Sequence, residues 1–135
     1  MKQFLDTSVL VEACLSQSPK FTAADALVNS PDTFTSAHAL AEAYATLSGD
    51  ARLKIHPADA ARMVEDFARL LTVHALGVED CLRLIAKAPE KGIRGGTIYD
   101  ALHAETARQC GCQRLYTLNL AHFKHVAPDL TVLGL

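Results

Sequence analysis

The 135-residue chain is half hydrophobic, with a formal net charge of -2 and a pI near 6.3. A chain of this length can bury roughly two thirds of the surface that its unfolded form exposes, so we expect a single domain over residues 1–135. The near-neutral charge excludes the strongly basic surface that sequence-independent nucleic-acid binding requires, so any nucleic acid must be held locally.

Short β-rich runs alternate with longer helical patterns along the chain. The first half predicts a strand at 2–5, a helix at 8–14 capped by Thr7 or Ser8, a helix at 22–28, a strand at 33–35 and a helix from the Ser36 cap to Leu47. The second half predicts helices from Pro57 to about Leu71, at 78–87 and at 97–110, strands at 72–75, 114–118 and 131–133, and a polar loop at 89–96. This alternation indicates an α/β fold whose mostly parallel sheet is covered on both faces.

The chain shows no targeting or membrane-spanning pattern. Met1-Lys2-Gln3 runs directly into Phe4 and Leu5, which leaves no room for the apolar region of a secretory signal. No segment has the roughly 18 consecutive apolar residues that cross a bilayer. The four cysteines lack C-x-x-C spacing, which fits a reducing compartment. We therefore expect a cytoplasmic protein with no membrane partner.

Polar residues follow two of the predicted strands. Asp6 follows the first strand, and Asn119 follows the apolar run 115–118. In an open parallel sheet, ligands bind in the crevice outside the carboxyl ends of the strands, so both side chains are expected at one cleft. Taken alone, Asp6 fits two roles equally well: a metal ligand, or a cap that stabilises the next helix by about 1 kcal/mol.

Glu42 and Asp100 are acidic candidates on predicted helices. Glu42 lies nearly opposite the centre of its helix's apolar stripe, so periodicity alone predicts a solvated glutamate. His38, one turn earlier on the same side, is either a surface residue, which is the favoured prediction, or an outer partner of the acidic site. Asp100 follows Gly95-Gly96 on a helix with apolar or small residues on two sides, where a carboxylate is partly desolvated and needs a partner. The helix dipole is the simpler explanation for Asp100.

Together, Asp6, Glu42, Asp100 and Asn119 predict a metal cage. Carboxylates within about 4–6 Å of one another raise one another's pKa. A hard divalent ion such as Mg²⁺ relieves that repulsion while binding through few protein oxygens and keeping several waters.

Several other polar residues have ordinary structural explanations. Cys110-Gly111-Cys112 predicts buried thiols around a glycine helix stop, because a zinc site needs two further soft ligands. Glu105 is either an outer partner of the acidic site or a salt-bridge partner. His122 and His125 flank Phe123 with the spacing of one helical face and are predicted to be surface residues.

Four segments together resemble the PIN domain, in the order and spacing of the VapC toxins of type II toxin-antitoxin pairs. They are FLDTSVLVE, the Glu42 helix within SAHALAEAYATL, GGTIYDALHAETAR and RLYTLNLAHF. The resemblance implies a three-layer αβα sandwich and Mg²⁺- or Mn²⁺-dependent cleavage of RNA, with Asp6, Glu42 and Asp100 as the acidic metal ligands. It also implies a homodimer and a small cognate antitoxin that blocks the cleft.

One position departs from the family pattern. Where the family has its fourth acidic residue, this chain has Asn119. An amide oxygen can accept a hydrogen bond or ligate weakly, but it adds no charge. We therefore predict one tightly held ion, with any second ion recruited by the substrate phosphate. Ser8 and Thr117 are predicted hydroxyl partners of the ligands, with helix capping and strand propensity as equal alternatives.

The functional prediction is a metal-dependent endoribonuclease, the toxin of a toxin-antitoxin pair, with Asp6, Glu42, Asp100 and Asn119 at its catalytic site. Lys87, Lys91 and Arg94 are candidate RNA contacts, although a charged loop is usually only solvated. The alternative is a PIN-like module that Asn119 has left inactive and that binds RNA or a partner protein. A haloacid dehalogenase phosphatase is disfavoured, because it needs an acid two residues after Asp6, where Ser8 stands.

Overall fold

Five parallel strands form the central sheet of the computed structural model, which describes residues 1–135. In the spatial order β3-β2-β1-β4-β5, they are β1 (Gln3–Leu5), β2 (Thr33–Ser36), β3 (Thr72–His74), β4 (Arg114–Tyr116) and β5 (Thr131–Leu133). Every neighbouring pair is parallel. The strand order reverses between β1 and β4, and such a switch point opens a crevice beside the carboxyl ends of the two strands.

Seven α-helices connect the strands: α1 (Thr7–Glu12), α2 (Phe21–Val28), α3 (Ala37–Gly49), α4 (Pro57–Leu70), α5 (Val78–Lys87), α6 (Thr97–Gln109) and α7 (Leu120–Val126). The first six begin and end within two residues of the predicted bounds, whereas the sequence analysis assigned no helix to the α7 segment. A short 3-10 turn, Pro89–Lys91, lies in the predicted polar loop. None of the helices combines the length and apolar character needed to cross a membrane.

The sheet separates two hydrophobic cores. Successive strand residues point to opposite faces, so Phe4 packs in the core with residues of α6 and α7, while Leu5 packs in the core with residues of α1 to α4. Phe4 and Leu5 are both fully buried. Helices therefore cover both faces of the sheet, and the predicted α/β fold, a three-layer αβα sandwich, is confirmed with a sheet that is entirely parallel.

The caps of α1 and α3 fix the residues that follow β1 and β2. Ser36 caps α3 as predicted, because its Oγ accepts a hydrogen bond from Ala39 N at 2.9 Å. The predicted Thr7 or Ser8 cap of α1 is wrong. Asp6 is the cap instead: its backbone is still extended and its side chain accepts from Val9 N, whereas Thr7 is already helical.

The ends of β4 and α6 also differ slightly from the prediction. β4 ends at Tyr116 rather than Leu118, because Leu118 N donates to Ser8 Oγ and leaves the strand ladder. The helix stop at Cys110-Gly111-Cys112 is confirmed: α6 ends at Gln109, and Gly111 has a left-handed φ of 75°. Cys110 and Cys112 are free thiols, and burial raises the pKa of Cys112 to about 12.

Candidate active site

Asp6 lies in the crevice between β1 and β4, and its side chain is almost completely buried. Ser8 Oγ donates to Asp6 Oδ1 at 2.5 Å, and Thr117 Oγ1 donates to Oδ2 at 2.6 Å. The same hydroxyls accept backbone N–H groups at 2.9 Å, Ser8 from Leu118 and Thr117 from Asn119. Ser8 and Thr117 therefore hold both the Asp6 carboxylate and the segment that follows β4.

The burial of Asp6 makes its charge costly. Desolvation raises the pKa of this carboxyl above its usual value, and hydrogen bonds from Ser8, Thr117 and Val9 only partly oppose that rise. A buried carboxylate with an uncompensated charge is stabilised by a nearby cation.

Glu42 reaches the same crevice from α3. All of its polar contacts fall on one oxygen, Oε1, which lies 2.8 Å from His103 Nε2, 3.1 Å from His38 Nε2 and 3.4 Å from Thr7 Oγ1. Burial raises the pKa of Glu42, but the hydrogen bond from His103 and the nearby imidazoles outweigh burial, so the net pKa is lowered. The periodicity-based prediction of a solvated Glu42 is wrong, because α6 brings His103 against it.

Asp100 occupies the first turn of α6, and its side chain is 19% exposed. Burial raises its pKa, the imidazoles of His103 and His122 oppose the rise, and the carboxylates of Asp6 and Glu42 add to it. The net pKa of Asp100 is therefore above its usual value. The repulsion from Asp6 and Glu42 means that the three carboxylates share one electrostatic environment.

A cavity of about 310 Å³ collects these side chains. Asp6, Glu42, Asp100 and Asn119 all line it, although they come from four separate segments of the chain. Asn119 precedes α7 without forming a side-chain cap, so its amide is not committed to the helix. The geometry thus places the four predicted residues together, while their roles as metal ligands and catalytic groups stay predictions.

Two titratable residues that line this cavity, His103 and Glu12, were not predicted from the sequence. His103 is 2% exposed and lies between Ser36 Oγ and Glu42 Oε1. Its signal in the sequence is its position three residues after Asp100, on the same side of α6. Glu12 ends α1 and accepts a hydrogen bond from Ser18.

Histidines predicted to lie at the surface stand close to the carboxylates. The ring of His38 stacks on Tyr99 with centroids 4.9 Å apart. Its Nε2 atom lies 3.1 Å from Glu42 Oε1, but the geometry is not that of a hydrogen bond. This nitrogen atom is buried and has no hydrogen-bond partner. His122 is exposed as predicted, yet its Nδ1 lies 3.6 Å from Asp100 Oδ2. The prediction for His38 therefore holds only in part.

The predicted basic contacts lie away from the acidic cavity, and no lysine or arginine lines it. Lys87 is exposed at the end of α5 and Arg94 is exposed in the loop that follows, and Lys91 lines a separate cavity of about 530 Å³ beside Arg108 and Asp129. In this larger cavity Arg108 and Asp129 are paired: Arg108 Nη2 lies 2.8 Å from Asp129 Oδ1, and Arg108 also contacts Glu105. The salt-bridge alternative for Glu105 is therefore the one observed.

The donors around the acidic cavity fit a hard divalent cation. They are carboxylate and amide oxygens, which suit Mg²⁺ or Mn²⁺ better than a soft metal. In this side-chain arrangement, no three His, Cys, Asp or Glu groups stand close enough together to hold an ion directly. Coordination through all three carboxylates therefore requires side-chain rotation or bridging waters, and Mg²⁺ commonly keeps several waters.

A protein-family model described as PIN domain matches residues 4–128. Similar solved structures include DNA-bound VapBC from Salmonella typhimurium, at 21% identity over 99% of this chain and 98% of that chain, with a TM-score of 0.73. Mycobacterium tuberculosis VapC20, described as a Sarcin-Ricin loop cleaving toxin, is 20% identical over 90% and 92% of the two chains, with a TM-score of 0.63. At these identities the similarity shows the fold alone. A search of curated protein sequences finds no match.

Proposed function

Because this chain belongs to the PIN domain family, we propose that it is a metal-dependent endoribonuclease and the toxin of a toxin-antitoxin pair. The observation that carries the proposal is the convergence of Asp6, Glu42 and Asp100 on one cavity at the switch point of the sheet. The similarity in fold to a Sarcin-Ricin loop cleaving toxin supports RNA as the substrate. We propose a cytoplasmic location, because cellular RNA is the expected substrate of such a nuclease.

Asp6, Glu42 and Asp100 would hold Mg²⁺ or Mn²⁺, and Asn119 would contribute an uncharged amide oxygen. When bound, such an ion activates water and neutralises charge on the phosphodiester. Ser8 and Thr117 hold Asp6 in place through its two oxygens. Since no lysine or arginine lines the cavity, Lys87, Lys91 and Arg94 would contact RNA only outside it.

The proposed protein partners are a small cognate antitoxin and a second copy of this chain. The similarity in fold to VapBC structures supports the antitoxin. The homodimer has support from the surface of α5, where Val78, Leu82 and Ile85 form an exposed apolar stripe.

The test is to incubate the purified protein with structured RNAs and Mg²⁺ or Mn²⁺. We expect cleavage that leaves a 5′-phosphate and a 3′-hydroxyl, that EDTA abolishes, and that Asp6→Asn and Asp100→Asn reduce by at least about 100-fold, since each removes a ligand charge. Glu65→Gln, which neutralises an exposed acid on α4, is the matched control and should cleave like the parent. Hydrolysis of a phosphatase substrate in place of RNA would contradict the proposal.

The second candidate is a PIN-like module that binds RNA or a partner protein without cutting. It is favoured by Asn119, which leaves the cavity one carboxylate short of the family's pattern. If RNA binds and is not cut, Asn119→Asp distinguishes the two candidates. Cleavage gained by that single substitution would identify the missing charge as the cause and would assign the natural protein to the binding class.

A further inference from the structure

A chain of hydrogen bonds runs from the backbone of α3 through α6 to Glu42. Ala39 N donates to Ser36 Oγ at 2.9 Å, Ser36 Oγ lies 3.0 Å from His103 Nδ1, and His103 Nε2 lies 2.8 Å from Glu42 Oε1. Ser36 and His103 are 3% and 2% exposed, so water does not compete for their polar atoms. These hydrogen bonds thus form a network that is buried at Ser36 and His103 and that ends on the Glu42 carboxylate.

The direction of each hydrogen bond follows from the groups involved. A carboxylate only accepts, so His103 Nε2 must carry the proton that it shares with Glu42. In the neutral ring, Nδ1 is then an acceptor, and the Ser36 hydroxyl donates to it while accepting from Ala39 N. Both ring nitrogens of His103 and the Ser36 hydroxyl are paired in this arrangement. Glu42 therefore selects the Nε2-protonated tautomer of the neutral ring, and the Ser36 hydroxyl fits that tautomer by donating to Nδ1.

The network also decides which oxygen of Glu42 is free. His103, His38 and Thr7 all approach Oε1, and Oε2 accepts no hydrogen bond from the protein. The Oε1 side of the carboxylate is therefore anchored against α6, and the other oxygen is left for the cavity that Glu42 lines. Partners that orient a ligating carboxylate typically contribute 10- to 100-fold to metal affinity or activity.

We propose that Ser36 and His103 form a positioning relay that fixes Glu42 through Oε1 and presents Oε2 to the cavity. This role rests on the proposed function, because the benefit of a fixed Oε2 is a better site for a divalent cation. His103 is a positioning residue, since it acts through Glu42 and does not line the cavity with a free polar atom.

The test measures Mn²⁺ affinity by calorimetry, without RNA, in the parent and in His103 variants. His103→Leu removes the donor to Glu42 and should weaken binding about 10- to 100-fold. His103→Gln restores an amide donor near the position of Nε2 and should recover most of the affinity. In a Glu42→Ala background, His103→Leu should cause no further loss, because a positioning residue has nothing left to position.

Thr106→Val is the matched control. Thr106 is as buried as His103 and lies on the same helix, but its hydroxyl donates only to Leu102 O within α6. It should leave Mn²⁺ affinity unchanged. Equal affinity in the parent and in folded His103→Leu would overturn the relay while leaving the proposed nuclease intact. A parent that binds no Mn²⁺ at all would overturn the proposed function together with the relay.

A second measurement needs neither metal nor variant. Long-range ¹H–¹⁵N spectra of the unmodified protein with labelled histidines report which ring nitrogen of His103 carries a proton. We expect a slowly exchanging proton on Nε2, the donor to Glu42. An Nε2 atom without a proton would remove the hydrogen bond to Glu42 and contradict the relay, even if His103→Leu failed to fold.

Discussion

Asp6 fills one of the two roles that the sequence left open, the cap of α1, and its role as a metal ligand stays a prediction. Its Oδ1 accepts the Val9 N–H as the cap of α1, at 3.3 Å, and the same carboxylate lines the acidic cavity. The two roles are compatible because an ionised carboxylate offers about four acceptor positions. The hydrogen bonds from Val9 N, Ser8 Oγ and Thr117 Oγ1 use three of these positions, and one acceptor position remains.

At Asp100, the raised pKa predicts a stability change with a definite sign. The folded pKa lies above the ordinary value of 3.8, so folding favours the protonated form. The stability that this preference provides is present below pH 3.8 and is lost as the pH rises through the folded pKa. In EDTA at pH 7, Asp100→Asn should therefore unfold at an equal or higher urea concentration than the parent.

This stabilisation should shrink as the pH falls through the folded pKa and below 3.8, where the parent carboxyl becomes protonated in both states. The same variant should lose the metal-induced stabilisation, which is about 2.7 kcal/mol for the parent at a hundredfold excess over Kd. Glu65→Gln is the control for removal of one negative charge elsewhere. If neither Mg²⁺ nor Mn²⁺ changed the urea concentration at which the parent unfolds, the metal site would be contradicted.

At the scale of single elements, helix bounds are the most predictable feature, because caps and breakers are local. Ser36 caps α3, Pro57 opens α4 and Gly111 follows α6, each as its residue type predicts. The α7 segment was missed because it is only seven residues long, and its two buried side chains, Phe123 and Val126, are too few to establish a helical period.

Alanine substitutions at two glycines near helix ends should change the free energy of unfolding in opposite directions. Gly111 has a φ of 75°, so Gly111→Ala should lower the free energy of unfolding by about 1–2 kcal/mol. Its added Cβ would meet only Lys2 at 3.7 Å, so the cost is backbone strain rather than a clash. Gly49, the last residue of α3, has open space around it, and Gly49→Ala should stabilise by about 0.4–1 kcal/mol.

Urea unfolding of both variants beside the parent checks this pair. If both substitutions changed the free energy of unfolding equally and in the same direction, the left-handed backbone at Gly111 would be contradicted. That backbone conformation is the reason for expecting different results from the two substitutions.

At the scale of the whole molecule, the strand order determines where the chemistry can lie. β1 and β4 are neighbours in the sheet although more than 100 residues separate them in the chain, with Leu5 paired to Tyr116. The residues that follow these strands, Asp6 and Thr117, are joined by a 2.6 Å hydrogen bond as a result. The candidate site is therefore a property of the topology.

The α5 surface predicts the oligomeric state under the proposed function. Leu82 is 59% exposed at the centre of the apolar stripe of α5, so Leu82→Glu should convert a dimer to a monomer by burying a charge at the interface. Light scattering should give the mass of two 14.5 kDa chains for the parent and of one for the variant. Leu70→Glu, at an exposed apolar position on α4, should stay dimeric. A monomeric parent would contradict the dimer.

The sequence by itself determined the α/β class, most helix ends and the candidates Asp6, Asp100 and Asn119, because periodicity, caps and strand-terminal residues act within a few positions of the chain. The role of Glu42 was implied only by the resemblance to the PIN domain. Only the tertiary structure decided how the candidates are held. The burial of Asp6 by Ser8 and Thr117, and the contact of His103 with Glu42 across 61 positions, depend on which helices pack together. Periodicity misplaced Glu42 for this reason: a helical wheel describes one helix and contains no neighbour.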